Sequence, residues 1–430
     1  MKAISDIALN GCDIFMLAMD RSMRQTGSKG NICHLLVTLP FDTDITGQRS
    51  RLIQHETFQA ITSLRLSKPI LRAPRWIARG ASTASPSSAP ECRSEQDLHS
   101  IIVSRSVDVK TESPFGVVFL PNYQRGPSLL FYWHHALCDA HGAELLIGSC
   151  GIDGAITLSL SKRSDTPLRD RLPRARRASR MIFDKARGSI TRLAATPNSA
   201  LDPAFHKVIF SAEQTRQIDQ MIQRLTGGMF PTAVFLAATA RAVSSTRSIG
   251  TTEEEAFFVP VPYDIRRSTK EISPVSNQIS MAFFRVFAPL SQSLIETTNG
   301  VIQQLHETIA EGYQHGILDF LHLIHLLPSS LLWRVIEHPT KGHPASFYVS
   351  DIGASLSTLE AFGGTPVVRA THYPPVLSPP GFTTVWSRYR NTVELTICYD
   401  KSVLDEATIA RISEHLTEEL TGASYESRAI

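Results

Sequence analysis

The sequence predicts a mixed α/β protein built from two packing units, and three observations carry that prediction. The chain has 430 residues, 42% hydrophobic and only 19% charged, enough for a large core divided into about two to four units of roughly 100–200 residues. Apolar runs of strand length alternate with segments of helical periodicity in both halves. Between the halves, residues 161–192 hold 11 Lys/Arg against 3 Asp/Glu. The totals of 43 basic and 40 acidic residues leave a net charge of +3, which excludes a disordered acidic tail and gives no overall signature for nucleic acid. Six scattered cysteines without CxxC spacing read as reduced core thiols. Asp6 and Asp13 fall where an export signal needs an unbroken apolar run, so a cytoplasmic protein is expected. The most apolar segment, 320–336, is interrupted by His322, His325, Pro328 and Arg334; it reads as a buried or amphipathic helix pair with no transmembrane span.

The elements follow in order. Residues 31–39 (NICHLLVTL) have strand composition, and 52–66 carry apolar residues at three- and four-residue intervals, the period of a helix. Residues 80–90 (GASTASPSSAP) offer little apolar area and read as a surface loop. FGVVFL (115–120) and SLLFYW (128–133) read as buried strands joined by a Pro-Asn-Gly turn segment. The basic stretch 161–192, with Pro167 and Pro173 interrupting any helix in its first half, reads as the crossover between halves. It is either an electrostatic dock for a phosphate-bearing donor or a solvated linker. Ser211 and Gln214 have capping-box spacing for a helix closed by Gly227-Gly228, with a second helix starting at Pro231. Strands at 256–264, 278–287, 346–352 and 393–400, with helices at 291–311 and 405–420, complete the second half.

The chemistry concentrates in FYWHHALCDAHG (131–142). A buried strand delivers His134 and His135 to its end, Asp139 follows four residues after His135, and a helix opens near Gly142. A loop at the carboxyl end of a strand, opening into a helix, is where α/β folds hold catalytic groups. An imidazole with an ordinary pKa near 6.5 can take a proton from an alcohol or amine, provided its ring is fixed in one tautomer. Asp139 either orients that ring or pins the loop through a buried ion pair with an arginine; the second role is favoured because it leaves the histidine a free base. Two histidines capping a core strand, with Asp139 as a helix N-cap, is the plain structural alternative.

HHALCDAHG resembles the HHxxxDG signature of the superfamily of chloramphenicol acetyltransferases, condensation domains, wax ester synthases and polyketide-associated acyltransferases. LNGCDIFML, VPVPYDIRR, SPVSNQIS, FYVSDIG and the terminal VELTICYDKSVLDEATIARI support the likeness over nearly the whole chain. The resemblance implies two pseudo-symmetric α/β lobes enclosing a central channel, here expected as 1–180 and 195–430. It implies acyl transfer from a CoA or carrier-protein phosphopantetheine thioester to a small-molecule hydroxyl acceptor in lipid or secondary metabolism, with no bound cofactor; condensation-type amide formation with an amine acceptor on a carrier protein, or a non-catalytic binding protein of the same fold, is the alternative. Residue by residue, His135 matches the catalytic base, His134 the supporting histidine, and Asp139 the loop aspartate, with Arg266 its partner and Arg267 the competitor. Gly142 lies in the supporting loop, and Asn277 and Ser350 fall at substrate-binding positions. Ala140 replaces the family glycine, at a cost of about 1 kcal/mol if that position needs a positive φ. The DFGWG motif is absent, and Asp351 stands where Asn is expected.

Other uses of these residues are weaker. Adjacent histidines seldom point the same way, and no HExxH pattern accompanies His134, His135, His141 and Asp139, so no metal is expected. Cys138 reads as a buried thiol, His322 and His325 as core or channel-lining residues, and Gly227-Gly228 and Gly363-Gly364 as turns.

Overall fold

Caps and turns written into the sequence fix most element ends. The computed structural model describes residues 6–68, 74–79, 91–151, 167–193, 199–246, 256–266, 276–289, 291–324, 327, 331, 334, 343–354 and 359–422. The first half runs β1 (Asp6–Ala8), α1 (Gly11–Gln25), β2 (Ile32–Thr38), α2 (Ile45–Gln54), α3 (Glu56–Thr62), β3 (Leu64–Ser67), β4 (Arg75–Ala78), α4 (Glu95–Ser104), β5 (Phe115–Leu120), β6 (Ser128–His134) and α5 (Ala140–Cys150). Then come α6 (Leu168–Lys185), β7 (Pro203–Ile209), α7 (Ala212–Thr226), α8 (Pro231–Ser245), β8 (Phe257–Asp264), β9 (Ile279–Val286), α9 (Leu294–Ala310) and α10 (Tyr313–Ile324). The chain closes with β10 (Tyr348–Gly353), β11 (Ala361–Phe362), β12 (Thr365–Pro366), β13 (Arg369–Tyr373), β14 (Phe382–Tyr389), β15 (Thr392–Asp400) and α11 (Glu406–Thr421).

Two four-stranded sheets anchor two lobes, with strand orders β13-β2-β6-β5 and β10-β14-β15-β7. The first is antiparallel throughout; in the second, β10 runs parallel to β14. β13, from late in the chain, completes the first sheet by pairing Arg369–Tyr373 against β2. Each lobe has its own apolar core. Leu35, Val37, Phe131 and Trp133 are buried against α1 and α5 in the first. In the second, Phe235 stacks on Trp386 at 4.3 Å beneath α8 and α11. β8 and β9 form a two-stranded ribbon packed on the second core; among the described residues β9 is the one strand that β8 pairs with, and Pro260 and Pro262, lacking an N–H, are tolerated there.

Several expectations change. The helix read at 52–66 is the end of α2, then α3, then β3; His55, in extended conformation, closes one helix and caps the next, and its ring accepts from Thr57 N. Pro167 does not interrupt α6 but serves as its N-cap, and Pro173 sits inside the helix on an exposed face, where the unpaired carbonyl meets water. The Ser211 capping box, the left-handed Gly227 (φ 62°) and Pro231 at the start of α8 stand as read. Gly363 and Gly364, both at positive φ, form the turn of the β11–β12 hairpin. The loop at 80–90 lies outside the described residues, as do His325 and Pro328. Among the described residues no helix is long and apolar enough to cross a membrane.

Candidate active site

β6 delivers the two histidines with their rings in opposite surroundings. His134 is fully buried; its Nδ1 accepts from Ala136 N at 3.1 Å, so its proton lies on Nε2, 3.2 Å from Asp20 Oδ1. Asp20 also takes Arg24 Nε at 2.9 Å and the Asn31 amide at 2.8 Å. Burial works to raise the Asp20 pKa, but His134, Arg24 and Asn31 outweigh it and hold it at about 2.

His135 is arranged the other way. Its Nδ1 lies 3.1 Å from Asn277 Oδ1. Asn277 Nδ2 donates to Asp13 Oδ1 at 2.8 Å and to the His135 carbonyl at 2.9 Å, which turns the amide oxygen to the ring. An amide oxygen can only accept, so the His135 proton sits on Nδ1 and the Nε2 lone pair is left for the cavity the residue lines. Asp13 itself accepts from the Asn277 and Asn10 amides, yet burial raises it to about 7. Burial likewise lowers the His135 pKa, so the imidazole is neutral.

Asp139 holds the loop. It caps α5 by accepting from Gly142 N at 2.8 Å, takes Arg266 Nη2 at 2.6 Å on the same oxygen, and takes Gln278 N at 2.7 Å on the other. The N-cap and the ion pair, alternatives on sequence grounds, are thus both present. Both Asp139 oxygens are engaged by these groups, and Arg266 ties the loop to the end of β8, 127 residues on. Arg267 lies outside the described residues.

A cavity of about 260 Å³ opens in front of His135. Its walls are largely apolar: Phe15 and Met19 from α1, Trp133 from β6, and alternating residues of the β8–β9 ribbon, Phe258, Pro260, Met281 and Phe283. Ser350 and Ala140 are on the wall. Cys138 is buried away from it, its thiol pushed well up by burial, and its carbonyl accepts from Trp133 Nε1. His322 bonds its own helix at Leu318 O. Among the described residues no group of three His, Cys, Asp or Glu is placed to hold a metal.

Compared as a sequence, the chain matches no family model and no curated protein. Compared as a structure, it is similar to the first condensation domain of the CDA synthetase, with a TM-score of 0.70 at 11% identity over 98% of this chain and 96% of that one. The TRI3 trichothecene 15-O-acetyltransferase from Fusarium sporotrichioides gives 0.69 at 11% identity, over 96% and 95% of the two chains. Polyketide synthase associated protein 5 from Mycobacterium tuberculosis gives 0.63 at 14%, over 97% and 99%. The chain has the chloramphenicol-acetyltransferase-like condensation/acyltransferase fold.

Within that condensation/acyltransferase fold, two site expectations are revised. Ala140 is the first residue of α5, and Arg390 is the one non-glycine at positive φ among the described residues, so replacing the family glycine costs no backbone strain. Asn277 was expected at the substrate; it is 2% exposed and stands behind His135, its polar atoms spent on His135, Asp13 and Asn10. Asp351 turns off the cavity, where Thr232 Oγ1 donates to it at 2.7 Å. Sequence reasoning missed Asp13 and Asp20. Their signal was present as two acids seven residues apart on one helix, and so on one face. It also missed Glu144, fully buried, 2.6 Å from Nε2 of the cavity-lining His372 on β13.

Proposed function

We propose that the protein is an acyltransferase that moves an acyl group from a CoA or carrier-protein thioester to a hydroxyl acceptor, in lipid or secondary metabolism. The observation that supports this most is the state of His135: a neutral imidazole, locked with its proton on Nδ1, offering Nε2 to a mostly apolar cavity. In this reading Nε2 takes the acceptor O–H proton as the oxygen attacks the thioester carbonyl. The C–O bond forms, the C–S bond breaks, and the imidazolium returns the proton to the departing thiolate. No acyl-enzyme is needed. Ser350 and neighbouring backbone amides are assigned to the developing oxyanion, worth around 3–4 kcal/mol by analogy with other oxyanion holes. Asp139 and Arg266 act by holding the loop. The apolar walls favour a lipophilic acyl chain or acceptor.

An amine acceptor is the second reading, supported by the condensation domains among the similar structures. Mass spectrometry of wild type and His135→Ala, incubated with a panel of acyl-CoAs and a mixed alcohol and amine library, separates the readings. An ester made by wild type alone supports the proposal, an amide moves it to the second reading, and free acid alone indicates hydrolysis. Transfer retained in folded His135→Ala sinks the mechanism.

A further inference from the structure

The cavity opens beside α6, and the outer face of that helix is unusual. Seven of its 18 residues are Arg or Lys, against two Asp. Arg171 and Arg174 face inward, and their Nε atoms lie 3.1 and 2.8 Å from the Asp319 carboxylate on α10. These contacts help hold α6 in place and set two of its arginines against one carboxylate. Arg169, Arg176, Arg177 and Arg180 are exposed. At 100° per residue, Arg169, Arg176 and Arg180 form one stripe, and Leu168, Leu172 and Phe183 form a second beside it. The three apolar side chains are 62%, 57% and 41% exposed. Large apolar groups left in water along four turns of a basic helix are costly unless something covers them.

The apolar stripe has a direction. Phe183, with Ser179 and Ile182 of the same helix, lines the cavity in front of His135, so the stripe runs from solvent to the mouth, with Ser179 the one small polar residue between Leu172 and Phe183. A stripe of this length, about 22 Å at 1.5 Å per residue, has a row of cations along one side and a greasy opening at its end. That matches the plane of an anionic lipid surface, where arginines reach headgroup phosphates and leucine and phenylalanine enter the acyl boundary.

We infer that α6 is a membrane-surface docking helix: its Arg169/Arg176/Arg180 stripe binds anionic lipid headgroups, and its Leu168/Leu172/Phe183 stripe seats the cavity mouth against the bilayer. A lipophilic substrate or product then passes between leaflet and cavity without crossing water. The inference stands on the helix and the cavity mouth, and it holds whichever acceptor the enzyme uses.

The test is flotation of the full-length protein with vesicles of phosphatidylcholine alone and of phosphatidylcholine mixed with phosphatidylglycerol. Wild type should float with the mixed vesicles far more than with the neutral ones, and added salt should weaken that binding. Arg176→Glu/Arg180→Glu should lower the partition by more than about tenfold, and Leu168→Ser/Leu172→Ser severalfold. All four positions are exposed, so the thermal melt should not move in either variant. Equal recovery on both vesicle types, or full binding by both folded variants, overturns the inference. So does failure to bind vesicles combined with capture of an acidic acyl carrier protein that the same substitutions abolish, which would assign the face to a protein partner.

Discussion

Two aspartates of α1, one fully buried and one half-buried, are treated in opposite ways. Asp13, in the first turn, meets only amides, and burial lifts it to about 7. Asp20, two turns on, meets His134 and Arg24 and is held at about 2. The same side chain is thus strongly acidic where cations face it and weakly acidic where it is fully buried among amides alone. The histidines inherit the difference: His134 has its proton fixed on Nε2 by a carboxylate, and His135 has its proton on Nδ1 through an amide relay. Side by side in sequence, they are presented as opposite tautomers.

The sharpest way to break this comparison is to remove each histidine in turn. His135→Ala should lower transfer by roughly a hundredfold to ten-thousandfold with the melt unchanged, whereas His134→Ala should destabilise the protein, because it empties a fully buried ring site and takes from Asp20 one of its three partners, leaving Arg24 and the Asn31 amide. Reversal of those outcomes would assign the base to the wrong ring. Next in size is the anchor that both histidines share. Arg266→Ala leaves Asp139 charged and buried, and chemical denaturation should show a loss of roughly 3–5 kcal/mol.

The acids sharpen the comparison through pH. Folded protein keeps a proton on Asp13 up to about pH 7, which the unfolded chain releases near 3.8. This contribution is therefore full below pH 3.8 and lost as pH rises to about 7. Denaturation curves across that window should show a decline of a few kcal/mol that Asp13→Asn flattens. Asp20 acts with the opposite sign. Its contribution is present above 3.8 and lost as pH falls to about 2, a loss of about 2 kcal/mol that Asp20→Asn should not show. Matching slopes in the two variants would mean that the two environments do not differ.

Much of this site could be read from the sequence because it is local. HHALCD sits on one strand end and one helix start, so a spacing of four residues already places Asp139 at the N-cap. The strand patterns at 115–120 and 128–133 were equally readable, since burial on both faces leaves continuous apolar runs, and 393–400 was readable from its alternation of apolar with polar residues. Contacts that depend on distant segments were not. Asp13 acquires its role through Asn277, 264 residues away, and nothing in LNGCDIFML names that partner. The helix read at 52–66 failed because apolar spacing continues through His55 and Ser63, while the backbone bends at one and ends at the other. RATHY, five residues without a turn signal pointing to its neighbour, gave no hint that it would join a strand more than three hundred positions earlier.

That loan of β13 makes the first lobe depend on the second half of the chain to finish its sheet. A chain cut in the crossover would leave the first half with β2 as a bare edge, its peptide groups open to any other strand in solution. The same cut would remove His372 from Glu144, leaving a fully buried carboxylate without its closest partner. Neither half is a module that evolution or an engineer can transplant alone; the unit of inheritance is the whole clasped pair.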